Sequence, residues 1–167
     1  MKEDKLNILA DTVAYELASR RPTRHVETVT LALAKRLAAR IEDKARTVGV
    51  HAVVAVCGQG ARPVLVECMD DSYIASYDVA LNKAYTSVSL KMSTIKLKEL
   101  SQPRGSLYGI QQTNDGKIVI FGGGEPLMLN GKLVGGLGVS GGSEEQDTAL
   151  AAFGASVLAE EAEKCLQ

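Results

Sequence analysis

Nine of the sixteen glycines in this 167-residue chain fall between Gly122 and Gly142. That density restricts the folds open to the chain. Glycine weakens helix and strand interiors, so it gathers where backbone turns sharply or is approached closely. The stretch FGGGEPLMLNGKLVGGLGVSGGSEEQD, residues 121–147, divides accordingly. Gly122, Gly123 and Gly124 follow a short apolar run at 117–121. Asn130-Gly131 is the strongest short hairpin signal, and it stands between apolar runs at 127–129 and 133–139. Ser140, Gly141 and Gly142 lead into Ser143, which is spaced from Gln146 as a capping box. The segment reads as strand, glycine loop, tight hairpin, second glycine loop and helix N-terminus.

Two readings of these glycines stand side by side. One is structural: a twisted sheet needs glycine where a helix packs closely on it. The other is a ligand cradle, since loops beside a helix N-terminus offer backbone N–H groups to an anion. Standard nucleotide loops are excluded. No Lys-Ser or Lys-Thr follows the last glycine, and the hairpin argues against the parallel crossover that a GxGxxG loop requires.

The rest of the chain alternates helical and strand patterns. Leu33, Leu37, Ile41, Ala45 and Val48 recur at helical spacing, with Gly49 at the expected stop. Strand-like runs at 51–57 and 64–69, joined by Gly58-Gln59-Gly60-Ala61, predict an antiparallel hairpin that sets Cys68 opposite His51. A helix is expected from Asp70 to about Met92, a shorter one over 94–100, brief strands at 108–111 and 117–121, and a last helix carrying Leu150, Phe153, Val157 and Leu158. The class is α+β: an antiparallel sheet with helices mainly on one face.

Composition removes several function classes. Lysine plus arginine number 19 against 20 acidic residues, so there is no electrostatic footprint for nucleic acid. No apolar run approaches the ~20 residues of a membrane span. Nor does a secretory apolar block stand near the start, which points to the cytoplasm. Cys57, Cys68 and Cys165 fit neither a disulfide framework nor a zinc knuckle. Residues 1–24 read as a separate unit, with 25–167 as the main domain. Leu6, Leu9, Val13 and Leu17 form a narrow apolar stripe, ended by Arg20-Arg21-Pro22. A helix this short needs a partner for its stripe.

Residues 121–147, together with MDDSYIASYDVALNKAYTSVSLK (69–91) and SLYGIQQTNDGKIVIFGGG (106–124), resemble the signature of the GlcG/HbpS family, most closely the C-terminal domain of PduO-type proteins. The resemblance covers roughly residues 28–154. It implies a five-stranded sheet of profilin-like or PAS-like appearance and a homo-oligomer. It implies a module that binds haem or, alternatively, a cobalamin-type corrinoid, in the setting of diol, glycerol or glycolate metabolism. It also suggests that residues 1–20 address a microcompartment shell or its lumen enzymes, placing the protein in that lumen. The adenosyltransferase domain of PduO-type proteins has no counterpart ahead of the match. The chain departs from the family pattern at Gly58, at Cys68 and at 102–105, and the acidic iron-binding helix motif of secreted relatives is not evident.

Candidate ligand contacts follow from chemistry and motif position. An axial haem ligand is His, Cys, Met or Tyr. Of the two histidines, His51 begins a strand that looks buried. His25 precedes the domain, where it could cross a subunit interface to the iron. Lys83, inside a family motif on the central helix, can pair with a carboxylate, an anion or the carbonyls of a glycine loop. It joins Gly122, Gly123, Gly124, Ser140, Gly141 and Gly142 as the expected cofactor-binding set. Glu125 and Asp78 are expected to be solvated or capping groups. No nucleophile–base pair can be assembled from two histidines so placed, so no catalytic residue is assigned. The competing reading is a small enzyme or accessory factor that uses Lys83 on an acidic or aldehyde metabolite.

Overall fold

A computed structural model of the chain describes residues 27–166. Helix α1 (Leu31–Thr47) begins where Thr30 Oγ1 accepts from the Leu33 N–H, and it buries Leu33, Ala34, Leu37, Ala38, Ile41 and Ala45 along one face. Gly49, at φ +69°, turns the chain into β1 (Val53–Gly58), which pairs antiparallel with β2 (Pro63–Cys68). Turns over 70–75 lead into α2 (Ser76–Leu90), which starts later than its sequence pattern predicts. A short α3 (Thr94–Leu100) follows. The Asn130-Gly131 turn, both residues at positive φ, joins β3 (Gly124–Leu129) to β4 (Lys132–Ser140). Helix α4 (Glu144–Ser156) has the complete capping box of Ser143 and Gln146. The chain breaks at Val157 before α5 (Leu158–Lys164), so the single last helix of the sequence pattern is two.

The sheet has four strands in the order β2-β1-β4-β3, all antiparallel, which overturns the five-stranded profilin-like or PAS-like expectation. The two brief strands expected at 108–111 and 117–121 do not form. Their backbone is tied elsewhere: Val119 N–H donates to Thr86 Oγ1 of α2 (3.0 Å), and residues 110–112 and 114–116 make 3-10 turns. Helices also cover both faces rather than mainly one. Along β1, Val54 and Val56 point into the layer of α1, α4 and α5, while Val53, Ala55 and Cys57 meet Ala80, Ala84 and Val88 of α2. A strand buried on both sides reads as a continuous apolar run, which is why alternation gave no hint of the second layer.

Much of the glycine stretch serves that second layer. A Cβ at Gly138 would lie 2.0 Å from the Ala80 carbonyl oxygen and 2.6 Å from the Ala84 nitrogen. Only a glycine lets α2 approach β4 so closely.

Candidate functional site

Lys83 projects from the sheet-facing side of α2 and is fully buried. Its Nζ donates to Asp147 Oδ2 (2.7 Å) and to the Val139 carbonyl (2.8 Å). Asp147 belongs to the first turn of α4, where the helix dipole favours a carboxylate, and its Oδ1 accepts from the Gly142 N–H (2.9 Å). The ion pair therefore joins helices that lie on opposite faces of the sheet. It passes between them where β3 gives way to the glycine loop. Gly123, at φ +106°, makes the passage: a Cβ there would stand 2.7 Å from Lys83 Nζ and 2.6 Å from the Val139 oxygen. Burial pushes the Lys83 ammonium down from its ordinary range, and the Asp147 hydrogen bond opposes that shift.

The loops around the pair are already bonded within the protein. Gly122 N–H donates to Glu144 Oε1 (2.9 Å), and Glu144 also accepts from Lys98. Those bonds hold the Glu144 carboxyl below its ordinary range. Gly124 N–H donates to Thr94 Oγ1 (2.9 Å), and Gly123 C=O accepts from Val139 N–H (2.8 Å). Ser140 Oγ bonds Ser76 Oγ (3.2 Å), and Gly141 packs on the His51 carbonyl. Lys83 thus meets Gly123 and Gly142 around one buried pair, while Ser140 and Gly141 face the start of α2 and β1. His25 lies outside the described residues. Phe121 stands over the pair, its ring centroid 5.0 Å from Lys83 Nζ, with one side exposed. Sequence reasoning passed over Asp147 and Phe121. The EEQD run was legible only as the acidic first turn of a helix.

The second histidine is not where the pattern puts it. His51 is exposed, and the residue opposite Cys68 is Val53. His51 Nδ1 lies 2.8 Å from the Asp70 carbonyl, which can only accept, so Nδ1 carries the hydrogen and Nε2 keeps its lone pair. A cleft of about 430 Å³ opens there, lined by Glu42, Arg46, His51, Cys68, Met69 and Asp70. Burial, reinforced by Glu67, pushes the Glu42 carboxyl up. Cys68 and Met69 both line this cleft. Among the described residues no cluster of three or more His, Cys, Asp or Glu side chains could hold a metal ion. Burial pushes the Cys57 thiol up to about 11, which disfavours the reactive thiolate. Glu125 is half-buried and burial raises its carboxyl; Asp78 is exposed in the first turn of α2. No helix among the described residues is long and apolar enough to cross a membrane.

A four-stranded antiparallel sheet covered by helices on both faces, with polar groups gathered in glycine loops at one end, places the chain in the α+β class. The chain belongs to the HbpS-like family, described as haem degrading protein HbpS-like, whose family model matches residues 29–156. It is 46% identical over 129 residues to an uncharacterized 15.0 kDa protein of the dhaT-dhaS intergenic region of Citrobacter freundii, covering 77% of this chain and 91% of that one. It is 35% identical to the corrinoid adenosyltransferase PduO of Salmonella typhimurium over 87% of this chain, but spans only 44% of that relative. Among solved structures, a PduOC complex with haem superposes with a TM-score of 0.74 at 33% identity, covering 77% of this chain and 94% of that one.

Proposed function

We propose that this chain is a haem-binding module that works as a homo-oligomer. The observation that carries the reading is the similarity to the PduOC–haem complex over most of both chains. The donor chemistry agrees with it. Among the described residues His51 presents an unencumbered Nε2 at an open cleft, and Phe121 presents an exposed aromatic face on which a planar ring can stack. The cleft itself is lined by Glu42, Arg46, His51, Cys68, Met69 and Asp70, so two carboxylates flank the histidine and disfavour haem propionates there. In this proposal the axial ligand is His25, with Tyr or Cys next in line. Lys83, Gly122, Gly123, Gly124, Ser140, Gly141 and Gly142 act by fixing the shape of the loops that present Phe121. Bound haem would supply the redox and ligand chemistry of its iron; the chain's own residues bind and orient it.

Haemin titration tests this directly. The wild-type protein should shift the Soret band and His25→Ala should lose the shift, with both forms eluting at the same oligomeric mass. Retention of the full shift in His25→Ala would remove His25 from the iron, and loss in His51→Ala instead would transfer the role there. A wild-type protein that is monomeric at micromolar concentration would sink the oligomer. Cobalamin in place of haemin tests the corrinoid reading, which draws support from the name of the PduO relative. Carriage into a microcompartment lumen by residues 1–20 is the matching proposal for location.

A further inference from the structure

Soft donor atoms are scarce in this chain. It has three cysteines, four methionines and two histidines, and one of each lines the cleft at the open end of the β1–β2 hairpin: Cys68, Met69 and His51. The sheet register brings them there. Val53 stands opposite Cys68, and Met69 N–H donates to the Ala52 carbonyl (3.0 Å), so residues 51–52 and 68–70 close that end side by side.

Two further bonds set the donor atoms. Ala52 N–H donates to Met69 Sδ (3.3 Å), which holds the thioether on the backbone next to His51 and leaves the sulfur a lone pair. His51 Nδ1–H donates to the Asp70 carbonyl (2.8 Å). A backbone carbonyl on one ring nitrogen fixes the tautomer and orients the other nitrogen, as it does for histidines that bind metals. Cys68 carries an exposed, free thiol.

This donor set selects the ion. Among the described residues no three His, Cys, Asp or Glu side chains are placed to share an ion, which removes the closed sites that zinc takes and the oxygen cages of calcium. A thiolate, a thioether and an imidazole suit a soft cation that accepts low coordination numbers. Glu42 and Asp70 also line the cleft and favour positive charge there. Arg46, the cation in the lining, is already tied to Glu42 (3.3 Å) and Asp43 (2.7 Å).

We propose that His51 Nε2, Cys68 Sγ and Met69 Sδ form a binding site for a soft monovalent cation, with cuprous copper as the ion that matches all three donors. On binding, the Cys68 S–H bond breaks, its proton leaves to solvent and a sulfur–copper bond forms; no oxidation state changes. The site is separate from the proposed haem site, whose iron is held by His25.

Anaerobic titration of cuprous ion into the full-length protein, against the coloured bicinchoninate chelate, reads this out. The wild type should withdraw one equivalent from the chelate. Cys68→Ser, His51→Ala and Met69→Leu should each weaken binding by about tenfold or more, and Cys165→Ser should bind as the wild type does. X-ray absorption at the copper edge should find two sulfurs and one nitrogen. Cys68 is exposed, so Cys68→Ser keeps the test decisive even where Met69→Leu fails to fold. A wild type that withdraws no copper overturns the proposal, as does binding that Cys68→Ser leaves intact. Binding lost in Cys68→Ser but unchanged in His51→Ala reduces the site to a bare thiol and also overturns it. Haemin added to the copper-loaded protein should leave the ion in place; its displacement would put both metals on the same ligands and refute a separate site. Failure of haem binding alone leaves the copper result unaffected.

Discussion

Replacing Lys83 by methionine removes one half of a buried ion pair and leaves the other in place. Asp147 would keep its Gly142 N–H bond and lose the one cation that pairs with it among the described residues, with the side chain still 5% exposed. An unpaired buried charge of this kind costs ~3–5 kcal/mol, because its desolvation is no longer offset. The Val139 carbonyl also loses a donor, about 1 kcal/mol more if no water replaces it. For a domain of this size each kcal/mol shifts the melting temperature by roughly 2–4 °C. Lys83→Met should therefore melt about 10 °C or more below the wild type. Asp147→Leu should fall by a similar amount, since it strands the ammonium and frees the Gly142 N–H. The decisive measurement is the double variant in guanidinium melts. Removing both charges abolishes the stranded-ion penalty, so Lys83→Met/Asp147→Leu should cost less than either single change. A double variant that loses the sum of the two singles to within ~0.5 kcal/mol would show that the groups do not interact, and the account of the loop passage would fail.

Other consequences are simpler to read. Ser143→Ala removes the N-cap and half the capping box of α4, and should cost about 1 kcal/mol in a denaturant melt. Gly138→Ala drives a methyl group into the Ala80 carbonyl oxygen and forces α2 off the sheet; a loss of about 3 kcal/mol or more, or failure to express soluble protein, is expected. Acid should act through Glu161, which Lys164, Arg40 and Arg36 hold down to about 2 from an ordinary 4.5. A depressed carboxylate contributes its stability above the unfolded value, so melting temperature should fall as pH drops from about 4.5 towards 2, and Glu161→Gln should flatten that slope.

Several elements were legible because a local signal and the tertiary demand coincide. The Asn130-Gly131 hairpin, the Thr94–Leu100 helix and the Ser143–Gln146 box each depend on residues close in sequence, and each formed as the pattern predicts. The failures share a different cause. Residues 117–121 carry Ile118, Val119 and Ile120, a strand-like run by composition, but Thr86 of α2 captures the Val119 N–H before any strand can. Whether a strand-like run finds a neighbour is decided by residues distant in sequence. The second helix layer was hidden for a similar reason. Val53, Ala55 and Cys57 are apolar like Val54 and Val56, and only the small residues Ala80, Ala84, Gly136 and Gly138 mark where a helix could approach. Lys83 was singled out for its motif. Its partner Asp147 is 64 residues away on another helix, a pairing that one sequence does not encode visibly.

Helices on both faces also decide where a ligand can lie. With the sheet faces filled, a planar cofactor is confined to strand ends and edges. Phe121, His51 and the glycine loops occupy one end, since Gly124 pairs with Gly138 and Val53 with Ser140. The described chain begins at the other end, beside Val134 and Gln59. His25 lies two residues before Glu27 and can reach about 7 Å from it, against roughly 20 Å between the two ends. In the proposed haem site, His25 and Phe121 are contributed by different copies. If haem binds in this way, dilution that separates the copies should erase the Soret shift. Mixing His25→Ala with Phe121→Ala should restore about a quarter to a half of it, through sites that inherit one intact residue from each. A shift that persists in the dilute monomer would place both groups on one chain and refute the shared site.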